Sequence, residues 1–171
     1  ALRQFCFFLE AHKDLALNAG VVDVILYSLL VHPDDIKVLE NAMDCLVSLS
    51  LRSTKIIVNA GGISTVTETL RSNQSSVDLI ISGARFIQNM AIADCEYANE
   101  ALSTVTPILN CMKANPNHIK LVEESCKTLR CLVIKSENCK DKVLSSGGVA
   151  IIEKTIQENS TSRRWQTLLL D

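Results

Sequence analysis

Aromatic residues make up only 4% of this 171-residue chain, although 47% of it is apolar, so any core must be aliphatic. Three prolines and six glycines are too few for the closely and regularly spaced turns of a β-sandwich. Many short helices suit the composition better. No lysine-arginine run is present to track a phosphate backbone, and the formal charge of -2 is near neutral, which argues against nucleic acid as a partner. An uninterrupted apolar stretch of about 18 residues, the length needed to cross a bilayer, is also missing. So is a charged-then-apolar leader of the secretory kind, and no direct membrane insertion is expected. At this length the chain reads as one domain able to bury a core.

Sequence signatures of chemistry are equally scarce. The seven cysteines (Cys6, Cys45, Cys95, Cys111, Cys126, Cys131, Cys139) are odd in number and contain no CxxC pair. They read as small buried hydrophobes in a reducing compartment, cytoplasmic or nuclear, rather than as a disulfide framework. A zinc site from His118, Cys126, Cys131 and Cys139 would have to use two cysteines five apart on one helix, which point in different directions. His12, His32 and His118 fall at helix starts or turns, and none has the partner motif that activates a nucleophilic cysteine. Gly61-Gly62 and Gly147-Gly148 read as helix breakers and not as phosphate cradles. The chain therefore reads as non-enzymatic, with no cofactor and no metal.

What is present is a repeat. Ile36, Leu39, Ala42, Leu46 and Leu49 recur as Val77, Ile80, Gly83, Ile87 and Met90, and again as Ile119, Val122, Ser125, Leu129 and Leu132, at offsets of 41 and 42. The steps of three, three, four and three are the apolar stripe of an amphipathic helix. Its middle member is always small, which predicts close approach of another backbone at that place. Around each long helix the same cycle returns. A short segment (Ala11–Ala19, Thr54–Asn59, Glu96–Leu102, Asn138–Ser145) is followed by a medium one (Val21–Val31, Ile63–Leu70, the helix holding Pro107, Val149–Gln157) and then, in the first three cycles, by the long one. Glycine punctuates the first junction at Gly20, Gly61-Gly62 and Gly147-Gly148 but is missing after Leu102, and Pro107 sits early in its helix, where proline is tolerated. His32-Pro33-Asp34 and Asn115-Pro116-Asn117 mark the turn before two of the long helices.

A short helix, a glycine, a medium helix, a turn and a long helix in about 42 residues resemble the armadillo unit. Gly83-Ala84-Arg85-Phe86-Ile87-Gln88-Asn89-Met90-Ala91 is similar to the end of its third helix, and Asn18-Ala19-Gly20-Val21-Val22, Asn59-Ala60-Gly61-Gly62-Ile63 and Ser145-Ser146-Gly147-Gly148-Val149 to its first junction. Two-helix HEAT repeats are the nearest rival, and three segments per period with a recurring glycine favour armadillo. The resemblance implies an all-α, right-handed α-α superhelix: the end of a repeat at 1–9, full repeats at 10–51, 52–92 and 93–135, and an incomplete one at 136–171. It implies a scaffold or adaptor whose third helices line a concave groove for an extended segment of a protein or peptide partner. The groove positions are Glu40, Asp44, Ser48, Arg85, Gln88, Asn89, Glu123, Lys127, Arg130 and Cys131.

Importin-α members carry an asparagine that clamps the peptide backbone and a tryptophan four residues earlier. Here the first place holds Phe7, Ser48, Asn89 and Cys131 and the second Arg3, Asp44, Arg85 and Lys127, which opposes a nuclear transport adaptor. A regulatory or targeting arm of a multidomain enzyme is the other alternative. Apolar residues at both ends, Ala1, Leu2, Phe5, Cys6 and Leu9 and then Leu168, Leu169 and Leu170, are expected to belong to a longer solenoid, with any targeting or lipid signal outside this stretch, or to self-associate. Ser160-Thr161-Ser162 is expected to cap a last short helix, and Arg163-Arg164-Trp165 to pack on the neighbouring repeat.

Overall fold

The structure is a computed structural model that describes residues 17–159. The expectations for 1–16 and 160–171, including the repeat tail, His12, Arg163-Arg164-Trp165 and the apolar ends, lie outside the described residues. Within them every regular element is helical. The elements are α1 (Val21–Val31), α2 (Ile36–Ser50), α3 (Thr54–Asn59), α4 (Gly62–Ser72), α5 (Val77–Ala93), α6 (Cys95–Glu100), a 3-10 turn (Ala101–Thr104), α7 (Val105–Ala114), α8 (Ile119–Lys135), α9 (Glu137–Ser145) and α10 (Gly148–Asn159).

The long helices form one layer in chain order, with α5 packed between α2 and α8. Against it lies a second layer in which α1 meets α4, α4 meets the 3-10 turn, and α7 meets α10. The short helices α3, α6 and α9 link the layers at one edge. The core is aliphatic, as the composition requires, with Phe86 the one fully buried aromatic side chain among the described residues.

The anticipated stripe is the core of the long-helix layer. Leu39, Leu46, Ile80, Ile87, Met90, Val122 and Leu132 are wholly buried, and Ala42, Leu49 and Leu129 nearly so. The first member of each stripe departs from expectation. Ile36 is exposed, and Val77 and Ile119 are only half-buried, so the first turn of each long helix contributes less to the core than the turns after it. A second correction concerns the small middle residue. At Gly83 the approaching group is a side chain and not a backbone, since an added Cβ would overlap both methyls of Leu70 on α4. Cys95 is likewise exposed, while Cys45, Cys111 and Cys139 are buried as the sequence suggested.

The corners repeat as closely as the helices. α1, α4 and α7 end at His32, Asn73 and Asn115 with nearly the same backbone, φ -124, -122 and -131°. Each carbonyl there then accepts the N–H three residues on, from Asp35, Ser76 and His118 at 3.1 to 3.2 Å. Those residues cap the long helices. Asp35 accepts from Val38 N–H at 3.1 Å, and His118 accepts from Leu121 N–H through Nδ1 at 3.2 Å, which satisfies a donor the helix start would otherwise leave unpaired. His118 thus has the capping role that its sequence position suggested.

At the first junction the two glycines divide the work. Gly61 has φ 77°, a left-handed backbone that favours glycine. Gly62 is needed for space, because a Cβ there would sit 2.8 Å from the Ile57 carbonyl oxygen. The third cycle has neither residue, and the 3-10 turn carries the chain into α7 instead, with Pro107 as the third residue of that helix.

Two stability predictions follow from the packing. Replacing Gly83 by leucine should lower the unfolding free energy in urea by about 1–3 kcal/mol through overpacking against Leu70, more than the surface reversal Arg85→Glu. An unchanged denaturation midpoint for Gly83→Leu would mean that α4 and α5 are not in this register. Ser125 is fully buried and its hydroxyl has no hydrogen-bond partner, whereas the equivalent place on α2 holds Ala42. Ser125→Ala should therefore raise stability by about 1 kcal/mol, by removing a desolvated hydroxyl.

Candidate functional site

On the long helices the residues that escape the core fall into rows that cross the layer. Along α5, Ser82, Arg85, Asn89 and Ile92 are spaced three, four and three apart, so they share one helix face. Their counterparts are Asn41, Asp44 and Ser48 on α2 with Leu51 just after it, and Glu124, Lys127, Cys131 and Ile134 on α8.

Two polar contacts show that the register is structural. Ser82 Oγ donates to Asp44 Oδ1 at 2.7 Å across the α2–α5 contact. One repeat further on, Arg85 Nε lies 3.2 Å from Glu124 Oε2 across the α5–α8 contact. The same two places meet in both contacts, the Asp44/Arg85 place on one helix reaching the Ser82/Glu124 place one turn earlier on the next, although the chemistry changes from hydroxyl–carboxylate to guanidinium–carboxylate. Lys127 extends this network on α8, reaching Glu123 at 2.7 Å and Glu124 at 3.3 Å. The hydrogen bond to Glu123 is the main reason the Lys127 ammonium is held above its ordinary pKa. Since Arg85 and Lys127 are partly exposed, such pairs contribute little stability, about 0–1 kcal/mol each. Their larger effect is to fix where the charges stand.

Deeper in the layer, Asn89 Nδ2 donates to Ser50 Oγ at 2.7 Å, and Thr128 Oγ1 donates to the Ala84 carbonyl at 2.9 Å. Asn89 is therefore half-buried and ties α5 to α2; its carbonyl oxygen takes no part in that bond. Ser48 turns its hydroxyl back to the Asp44 carbonyl at 2.9 Å. Glu40 and Gln88 are half-buried on α2 and α5, and Arg130 is exposed on α8. Of the ten residues singled out from the sequence, Asp44, Ser48, Arg85, Asn89, Lys127 and Cys131 fall into two adjoining rows. Glu123 joins them through Lys127, and Glu40, Gln88 and Arg130 flank them.

The thiols on this side are not activated. Burial pushes Cys126 up to about 11. It also raises Cys131, although the charges of Lys135 and Arg130 act the other way. A protonated thiol is a poor nucleophile and a poor metal ligand. Among the described residues no group of three or more histidine, cysteine, aspartate or glutamate side chains is placed to hold a metal ion, and no helix is long and apolar enough to cross a membrane.

The structure adds residues that had not been singled out from the sequence. Ser50, Ser82 and Glu124 supply the interhelical bonds, and Leu51, Ile92 and Ile134 end the face as large exposed aliphatics, 74%, 55% and 74% accessible. The same offsets of 41 and 42 relate these three. An apolar residue near a helix end nevertheless reads as core until the neighbouring helix is seen to stop short of it. Beside Leu51 and Ile92 lies a cleft of about 370 Å³ between the start of α3 and the junction of α5 with α6, lined by Arg52, Lys55, Ile56, Asp94 and Tyr97 among others.

No family model matches this chain, and no curated protein sequence matches it significantly. Among solved structures it is similar to the crystal structure of an engineered protein from a structural genomics programme, with 17% sequence identity and a TM-score of 0.75. The match covers 96% of this chain and 65% of the engineered one, so this chain spans about two thirds of that protein's length. At such identity the likeness concerns the arrangement of helices alone.

Proposed function

We propose that this chain is a non-enzymatic interaction scaffold with the armadillo-type organisation its repeats resemble, a right-handed superhelix in which the α2–α5–α8 face forms a groove for an extended segment of another protein. The observation that carries this is the register of the polar rows. Asp44–Ser82 and Arg85–Glu124 are the same contact made twice, and they set a regular series of side chains from one long helix to the next. A partner lying across the helices would meet one such set per helix. Stacked-helix proteins commonly present surfaces of this kind to partners.

The residue chemistry bears on what is held. Asp44, Arg85, Glu123 and Lys127 mix both signs, and Arg85 and Lys127 are already joined to carboxylates. A strongly basic targeting peptide finds no continuous acidic track here, and no tryptophan occupies the rows to stack on its aliphatic stems. The scaffold reading therefore stands ahead of the transport-adaptor one. It places no reaction on the chain itself.

The test is a displayed library of extended peptides selected on the immobilised protein, followed by calorimetry and backbone amide NMR of the best binders. Peptides should shift amides of α2, α5 and α8 and spare the outer sides of α1, α4 and α7. Arg85→Glu should weaken binding by roughly 1–3 kcal/mol while lowering stability by no more than about 1 kcal/mol through loss of the partly exposed pair with Glu124. Shifts confined to the second helical layer, or full affinity in Arg85→Glu combined with Arg130→Glu, would remove the groove from the account.

A further inference from the structure

We draw no further inference here: the strongest candidate, the apolar surface patch of Val24, Tyr27, Leu30 and Val31 on the exposed side of α1, has nothing among the described residues to show what covers it.

Discussion

The rest of the structure depends on the side-by-side packing of three long helices in a fixed register. α5 buries Leu79, Ile80, Ile87 and Met90, and its most extensive packing is against the other long helices rather than against its own short companions. Burial is completed by the neighbours on either side, α2 and α8. Each helix is therefore both core and wall, and stability comes largely from the contacts between repeats. The energetics of large aliphatic burial, about 1.5–3 kcal/mol per side chain, far exceed anything the partly exposed ion pairs can add.

Register in such a layer has to be set by more than hydrophobicity, because aliphatic surfaces tolerate sliding. Gly83 receives the Leu70 methyls in a space that no other residue type would leave open, which ties α5 to α4. The bonds Ser82–Asp44 and Asn89–Ser50 do the same between α2 and α5, and Thr128–Ala84 and Arg85–Glu124 between α5 and α8. At the next joint Ser136 Oγ, 2.6 Å from Asn99 Oδ1, and Cys139 Sγ, 3.2 Å from the Ala98 carbonyl, hold α9 against α6. The thiol at Cys139 is thus a weak donor in a buried joint, which gives a physical role to a residue that sequence inspection could describe only as a small hydrophobe.

The proposed binding face would be a by-product of the same register. Once helices repeat side by side, any residue on the uncovered face recurs as a row, and its chemistry can change from repeat to repeat without disturbing the core. Asp44, Arg85 and Lys127 illustrate the freedom, with opposite signs at one structural place. Leu51, Ile92 and Ile134 illustrate the contrary, where the residue type is kept although packing does not require it.

Most of the fold was legible in the chain itself. The 3,3,4,3 stripe, the left-handed glycines Gly20, Gly61 and Gly147, and the paired turns at Pro33 and Pro116 are local features, and local sterics and burial decide them without reference to distant residues. The long-helix face was legible too, because one offset aligns all its rows. What tertiary structure alone decided is which members of a periodic pattern end up against another helix. Ile36 and Ile134 look like core residues and are exposed, Asn89 looks like a free clamp and is bonded to Ser50, and the small place at Gly83 admits a leucine from α4. Periodicity gives a side chain its direction around its own helix, whereas burial depends on where the neighbouring helix begins and ends, and that is a property of the assembled layers.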